Sequence, residues 1–393
     1  MNKKNTYATE NSARQLLDKA FSFYKEKDYE QAQYFFALAL EENENAQAYF
    51  YRGKSLLYLG KYLAAIGCFE NARELSPQNI DIYIEEIITL LYLNFPEKAL
   101  LRIEEALLFK EKSQKLFFLK GCALSQQKNY RAAISFFISA IKNGENSANV
   151  FSELAMAYFF LKDYKKARIY FNFAYKICSD KTDLATKLSY YEALSLKELK
   201  QYKKALTVLK KISTAYKSEY FSKILSLQSI CYYHLGRTKE ALVYINASIG
   251  TNPMFCQGYK TKAAILKYMN QIKESQDCEE TAIQIENENK KKNLLSQEFV
   301  EKQANELKNK IENYEKKTAY FNKKLKEHPK DASLYSQKAA ILVDLEQYHE
   351  AIFCCNKALQ LNPQEKNAVK DKSRALFALG RYEEALNCII SID

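Results

Sequence analysis

Apolar residues recur along most of this chain at the three- and four-residue spacing of a helix face, with short polar breaks at regular intervals. Residues 46–79 show the pattern most clearly. Bulky side chains stand at Tyr49 and Phe69, small ones stand at Gly53 and Ala65, and a polar break separates two apolar groups. This pattern predicts a helix–turn–helix unit in which a small residue on each helix lets the two backbones approach closely.

The unit recurs about ten times, and most neighbouring copies are 34 residues apart. The small position of the second helix recurs at Ala32, Ala65, Ala99, Ala133, Ala167, Ala205, Ala241, Ser275, Ala351 and Ala385. The matching position of the first helix recurs at Ala20, Gly53, Ile87, Gly121, Ala155, Ala193, Ser229, Ala263, Ala339 and Ser373. Two columns that keep one phase along the chain predict an array of stacked helical hairpins.

The period and the order of bulky and small residues resemble the tetratricopeptide repeat family over roughly 13–289 and 332–393. The chain departs from the family pattern at Ile87, where a small residue is usual, and at Pro96, where an aromatic residue usually stands in the turn. It also contains no tryptophan, so other residues fill the family's Trp position. The resemblance implies an all-α, right-handed α-solenoid of about ten helix–turn–helix units with one long interrupting helix.

The predicted organisation has four segments. Residues 1–12 are a disordered N-terminus, residues 13–289 hold about eight repeats, residues 290–331 form a long charged helix, and residues 332–393 hold two further repeats. The boundaries are placed where the repeat columns begin, stop and resume.

The long charged segment carries a heptad-like apolar seam and has neither Gly nor Pro before Pro329. The seam consists of Val300, Ala304, Leu307, Ile311, Tyr314, Thr318, Phe321 and Leu325. We predict one helix from about Ser296 to Glu327, because the residue before a proline disfavours helix. Three partners are open for the seam: the chain's own repeats, a degenerate repeat unit, or a second copy of the chain.

The last repeat stops at Asp393, before its second helix is complete. Repeat arrays normally cover their final apolar face with a polar helix, so Leu386, Ile389 and Ile390 are expected to meet a partner. This uncovered helix and the long helix are the two candidate contacts for a homodimer.

The composition argues for a helical protein without disulfides. Only 9 Gly and 5 Pro occur among 393 residues, which is too few for the turns of a β-rich fold. The nine Cys are odd in number, and four of them share one repeat position, as packing residues do: Cys68, Cys278, Cys354 and Cys388. Free thiols, together with no visible secretory signal or long apolar stretch, predict a cytoplasmic protein without a membrane span.

No constellation of catalytic or metal-binding residues is visible in the sequence. The three His lie far apart, and there is no H-E-x-x-H, C-x2-C, GxGxxG or GxxxxGK[ST] motif. The neighbouring Cys354 and Cys355 suit a packed helix better than a soft-metal site. We therefore expect a protein that is not an enzyme and that needs no cofactor or metal.

The first helix of each unit carries a second stripe, offset by one residue from the small position. The tetratricopeptide resemblance implies that this stripe lines a concave groove that takes a peptide or helix, which predicts a scaffold or adaptor. The candidate partner-binding residues are Phe50, Lys54, Tyr58, Phe118, Phe159, Phe160, Tyr190 and Tyr233, and the stripe also includes Ile84 and Ser152. Rings supply contact area, and Lys54 supplies steering toward a motif with acidic residues. Packing of some rings between neighbouring helices is the alternative.

One known partner class of the family is tested by residue identity. Family members that hold acidic chaperone tails use Lys, Asn and Arg at five positions of their first helices. In this chain those positions are Leu17, Phe21, Tyr51, Asp81 and Ile84. None matches, so a chaperone C-terminal tail is not an expected partner.

The net charge of +12 leaves nucleic acid or an anionic surface as an alternative partner. The clearest Lys-rich helix faces contain Lys200, Lys203, Lys204, Lys210, Lys211 and residues 290–292. Much Glu is interleaved with the Lys along the chain, which is also typical of an ordinary solvated surface.

Overall fold

The fold is described from a computed structural model. The backbone is described for residues 3–178, 183–212, 220–344 and 347–390, and the side chains for the same residues except 3–12, 291–308, 310–315 and 389–390. Within these ranges the only regular structure is helical. The chain divides into two compact units: unit 1 comprises 1–93 and 302–393, and unit 2 comprises 94–301.

Unit 1 is built from the helices at the two ends of the chain. The N-terminal helices are α1 (Lys3–Lys25), α2 (Tyr29–Glu42), α3 (Ala46–Tyr58), α4 (Tyr62–Leu75) and α5 (Ile80–Tyr92). The C-terminal helices are α17 (Ala332–Asp344), α18 (Tyr348–Leu361), α19 (Lys366–Ala378) and α20 (Tyr382–Ile390). Successive helices pack as antiparallel pairs, which confirms the predicted all-α hairpin architecture.

Unit 2 continues the same succession of hairpins. Its helices are α6 (Pro96–Phe109), α7 (Gln114–Gln126), α8 (Tyr130–Lys142), α9 (Ala148–Phe160), α10 (Tyr164–Ile177), α11 (Asp183–Glu198), α12 (Tyr202–Lys211), α13 (Phe221–His234), α14 (Thr238–Thr251), α15 (Cys256–Tyr268) and the first part of α16 (Ile272–Glu327). The last residues of α16 belong to unit 1 by the division given above.

The small-residue columns lie inside the hairpins, as predicted. Ala65 in unit 1 and Ala133 in unit 2 are both fully buried. A Cβ atom added to Gly121 would lie only 2.4 Å from the nearest ring carbon of Phe137. The close approach of the two helices therefore requires a small residue opposite a large ring.

Where the small-residue column holds serine, the hydroxyl donates a hydrogen bond to the other helix of the hairpin. Ser229 Oγ donates to the carbonyl oxygen of Ala241 at 2.7 Å, and Ser275 Oγ donates to that of Ala263 at 3.0 Å. Each acceptor is the opposite small residue of the same hairpin. The serine hydroxyl is thus satisfied without opening the close helix contact.

Most hairpin turns end in a residue with left-handed backbone geometry. Gly60 and Gly236 have φ of 73° and 75°, and Lys162 and Asn270 adopt the same geometry with φ of 63° and 64°. Glycine accepts this conformation freely, whereas a lysine in it is strained. The repeated turn geometry places every second helix in the same direction relative to the first.

The long helix is longer than the sequence predicts, because it begins at Ile272 instead of about Ser296. No Gly or Pro occurs between Ile272 and Glu327, so nothing ends the second helix of the preceding hairpin. Helix α1 likewise begins at Lys3, inside the segment predicted to be disordered. Its first residues also lack any helix breaker.

The end of α16 packs on the chain's own repeats in unit 1. Thr318 and Phe321 of the seam are buried, and Asn322 Nδ2 donates to Glu74 Oε1 of α4 at 2.7 Å. Asn322 Oδ1 accepts from Lys338 Nζ of α17 at 2.6 Å. The described end of the seam therefore packs on the chain's own repeats, the first of the three alternatives. The side chains of the earlier seam residues, from Val300 to Tyr314, lie outside the described set.

The two ends of the chain are joined in unit 1 through buried charges. Arg52 of α3 pairs with Glu350 of α18, and both side chains are more than nine-tenths buried. Glu41 of α2 accepts from Arg381 Nη1 at 2.8 and 2.9 Å, and its Oε1 lies 2.7 Å from His349 Nδ1. The buried apolar residues of the N-terminal and C-terminal repeats form separate clusters.

The C-terminal helix predicted to meet a partner ends at Ile390. Leu386 on this helix is 60% exposed, as an unpaired apolar face would be. The side chains of Ile389 and Ile390 lie outside the described set. A homodimer through this helix stays a prediction.

Candidate functional site

The first helices of the hairpins carry one stripe of half-buried and exposed side chains, offset by one residue from the small position. We call the stripe on α7, α9, α11 and α13 the A-helix face of unit 2. Its predicted members are Phe118, Phe159, Phe160, Tyr190 and Tyr233, all half-buried or exposed. The corresponding stripe in unit 1 lies on α3 and α5 and contains Phe50, Lys54 and Tyr58.

In unit 1 the predicted steering charge is already paired. Lys54 Nζ lies 3.2 Å from Glu85 Oε1 of the next first helix and 5.5 Å from the ring centroid of Phe50. Partial burial opposes protonation of Lys54, but the Glu85 carboxylate outweighs it and raises the pKa of Lys54. Tyr58 is 60% exposed and stacks on Tyr29 with ring centroids 4.2 Å apart. Unit 1 therefore offers rings without a free cation at Lys54.

In unit 2 the rings of neighbouring first helices touch. Phe159 of α9 contacts Tyr191 of α11 with centroids 5.6 Å apart, and Tyr191 contacts Tyr190 at 5.3 Å. Phe160 is half exposed and lies 6.1 Å from Phe159. Three of the predicted residues thus belong to one aromatic patch across α9 and α11.

The other two predicted residues of unit 2 sit on separate helices. Phe118 packs on Phe137 of its own hairpin, with centroids 6.0 Å apart. Tyr233 contacts Tyr268 of the next first helix at 5.6 Å, and Tyr268 is 69% exposed. The exposed ring of Tyr268 therefore extends the face beyond the residues selected from the sequence.

Two members of the predicted stripe are not exposed. Ile84 and Ser152 have only 5% and 3% of their surfaces accessible. They occupy the repeat position of Phe50, which is half-buried. These two members of the stripe are therefore buried and follow the alternative that the sequence analysis left open, packing against neighbouring helices.

Ionisable groups line the same face of unit 2. Burial raises the pKa of the Glu153 carboxyl on α9, and Lys187 of α11 partly counteracts it. Lys187 lies in the second turn of α11 and Lys223 in the first turn of α13, and both are half-buried. Among the residues for which side chains are described, no three His, Cys, Asp or Glu are grouped closely enough to hold a metal ion.

Sequence reasoning missed a set of ring stacks at the hairpin turns. The first residue of a second helix contacts the ring of the last residue of the following first helix, and three of the four pairs are stacked while Tyr62 and Tyr92 are tilted. The pairs are Tyr29 with Tyr58, Tyr62 with Tyr92, Tyr130 with Phe160, and Tyr202 with His234, with centroids 4.2 to 4.9 Å apart. A ring at both positions of successive repeats was the available signal.

Family models identify the repeats in four segments of the chain. Models described as "Tetratricopeptide repeat" match residues 46–79, 114–143, 148–181 and 332–365. These segments coincide with the hairpins α3–α4, α7–α8, α9–α10 and α17–α18. A search of curated proteins found no match.

Solved structures are similar over part of the chain. A tetratricopeptide repeat protein from Parabacteroides merdae has 17% identity and a TM-score of 0.47, covering 68% of this chain and 99% of its own. PilF of Pseudomonas aeruginosa has 17% identity and a TM-score of 0.48, covering 56% and 97%. YrrB, described as a TPR protein with an unusual peptide-binding site, has 18% identity and a TM-score of 0.44, covering 49% and 97%.

The length and hydrophobicity of the helices also bear on membrane spans. In the part of the chain that the structure describes, none is long and apolar enough to cross a membrane. The buried small-residue columns, the repeated turn geometry and the four family-model matches agree. This chain contains tetratricopeptide repeats.

Proposed function

We propose that the protein is a non-enzymatic scaffold that binds a peptide or helix of a partner protein on the A-helix face of unit 2. Tetratricopeptide repeats support protein–protein interaction in general. The observation that carries the finer proposal is the aromatic patch formed by Phe159, Phe160 and Tyr190. Three rings on adjacent helices give a partner a large, rigid contact area at low entropic cost.

The charges of the face favour a partner motif that combines apolar and acidic residues. Lys223 Nζ lies 4.9 Å from the ring centroid of Tyr220, and Tyr220 contacts Tyr190 of the patch at 5.4 Å. In unit 1, by contrast, Lys54 is paired with Glu85. An amphipathic helix presents such residues at three- and four-residue spacing, which suits a face built from parallel helix stripes. We therefore place the partner segment on unit 2.

The test is affinity capture from the native cell with wild-type bait and the double variant Phe159→Ala/Tyr233→Ala. The double variant is expected to lose one or more partners identified by mass spectrometry. Phe173→Ala is the matched control, because Phe173 is a half-exposed ring on α10, a second helix. Partners that bind wild type and double variant equally would overturn the proposal.

A second variant separates lost binding from lost folding. Phe159 also packs on Phe171 inside the hairpin, so its removal lowers stability. Phe160→Glu changes a half-exposed ring and reverses the local preference for acidic motifs. It is expected to keep the circular dichroism of the wild type and to lose the same partners.

A further inference from the structure

The excess positive charge of the chain is confined to unit 2. Residues 94–301 hold 33 of the 59 Lys and Arg but only 21 of the 47 Asp and Glu. The remaining residues hold 26 of each sign, so unit 1 is balanced. The net charge of +12 is therefore a property of one unit and not of the whole chain.

Within unit 2 the charge concentrates at the turns that join each first helix to its second helix. We call these turns the tip edge: residues 126–131, 160–166, 197–204, 234–240 and 267–274. They contain 13 Lys and Arg and four acidic residues. Most of the excess charge of unit 2 thus lies in these short segments.

Three of the four acidic residues of the tip edge are held by a neighbouring cation. Asp163 lies 3.3 Å from Lys166, and Glu240 lies 2.6 Å from Arg237. Glu198 lies 2.5 Å from the adjacent Lys197. These contacts leave the positive charge of the tips in large excess.

Stacked rings connect neighbouring tips. Tyr130 and Phe160 stack with centroids 4.9 Å apart, and Tyr202 and His234 stack at 4.5 Å. Each pair joins two successive turns, which shows that these turns adjoin in space. Phe160 is half exposed and Tyr268, in the last turn, is 69% exposed. Basic side chains and accessible rings therefore alternate along successive tips.

We propose that the tip edge of unit 2 binds single-stranded nucleic acid. Lys and Arg side chains contact phosphates, and exposed aromatic rings offer flat faces on which unpaired bases stack. An anionic membrane would meet the same basic side chains, but it offers no unpaired bases for the exposed rings to stack on. This site lies on the turns and shares the exposed ring of Phe160 with the partner segment proposed for the A-helix face, whereas the lysines of the tips belong to the tip edge.

The first experiment measures binding of fluorescent oligouridylate to the purified full chain by anisotropy over a range of salt concentrations. The variant Lys165→Glu/Lys200→Glu/Lys203→Glu is expected to bind about tenfold more weakly or worse and to reduce the salt slope by about 2. All three lysines are exposed. No binding of wild type at low salt would overturn the proposal.

A matched variant in unit 1 distinguishes the tip edge from the overall charge. Lys27→Glu/Lys61→Glu/Lys370→Glu changes the net charge equally and also alters exposed lysines. It is expected to bind oligouridylate within about twofold of the wild type at moderate salt, because the proposed phosphate contacts are made by lysines of the tip edge and these three lysines are not among them. Equal weakening by both triple variants would refute a localised site.

The rings supply a second, independent readout. Phe160→Ser/Tyr268→Ser is expected to weaken oligouridylate binding about fivefold or more without changing the salt slope, since it removes stacking and no charge. Duplex RNA is expected to bind more weakly than the single strand. Vesicles containing phosphatidylserine serve as the competing anionic surface. Binding to these vesicles without binding to oligouridylate would overturn the proposal in favour of a membrane.

Discussion

The hairpins of units 1 and 2 have the same type of interior, but the two units differ in how their charged residues are distributed. Unit 1 has balanced charge and buries part of it in the joint between the chain ends, as in the pair of Arg52 with Glu350. Unit 2 carries the whole excess of +12 and displays much of it on its turns. The repeat columns thus constrain the inside of each hairpin and leave the other positions free to specialise.

The buried joint of unit 1 is where a single substitution should have the largest effect. Arg52→Ala leaves the Glu350 carboxylate buried without its cation, and removing one partner of a buried pair costs about 3–5 kcal/mol. The free energy of unfolding from urea titration, together with hydrogen exchange of α3 and α18, measures this loss. A change below 1 kcal/mol would contradict the buried joint.

Two controls sharpen the comparison. Lys54→Ala removes a partly exposed pair in the same unit and should cost about 0.2–1 kcal/mol. Arg52→Leu/Glu350→Leu removes both buried charges and should recover most of the stability, because an apolar pair of similar volume is often neutral there. Recovery by the double variant would identify the lost charge partner as the cause.

The hairpin interiors should respond alike in both units. Ala65→Leu in unit 1 and Ala133→Leu in unit 2 place a larger side chain at the same fully buried repeat position. Each is expected to overpack the hairpin and to cost about 1–3 kcal/mol in thermal or urea unfolding. Ala264→Leu, at an exposed position of α15, is the control with little expected effect. A large cost in only one unit would show that the interiors differ.

The features that were predictable from the sequence are those that repeat locally. The column containing Ala65 and Ala133 is visible because every hairpin needs a small residue at that point. The long helix was predicted to end at Glu327, where it does end, because Pro329 follows. Its start at Ile272 was not predicted, since the repeat pattern suggested a boundary that no helix breaker enforces.

Contacts between distant or neighbouring repeats were not predictable from the pattern. Arg52 and Glu350 are separated by most of the chain, and neither residue carries a signal for the other. Lys54 was taken as a free steering charge because Glu85, its partner, belongs to the next repeat. The site residues on the A-helix face could be chosen from their repeat positions. Their pairing and exposure depend on contacts between different repeats, which the pattern does not show.

The smallest expected effect concerns the turn of unit 2 that holds His234 in the place of a tyrosine. Partial burial lowers the pKa of His234, with a further contribution from Lys197, while its ring stacks on Tyr202. The unfolded chain therefore binds a proton more readily than the folded chain. Stability from this group is present above the ordinary His value of 6.5 and is lost as the pH falls through the lower folded pKa.

His234→Phe keeps a ring in the stack and removes the titration. The melting temperature of the wild type should fall more than that of His234→Phe between about pH 7.5 and about pH 5, a range that brackets the ordinary histidine pKa. Tyr58→Phe changes the corresponding turn residue of unit 1, which has no imidazole, and should leave the pH dependence unchanged. Since His234 is largely exposed, the difference should be small. Identical pH profiles for wild type and His234→Phe would mean that the pKa of His234 is the same in the folded and the unfolded chain.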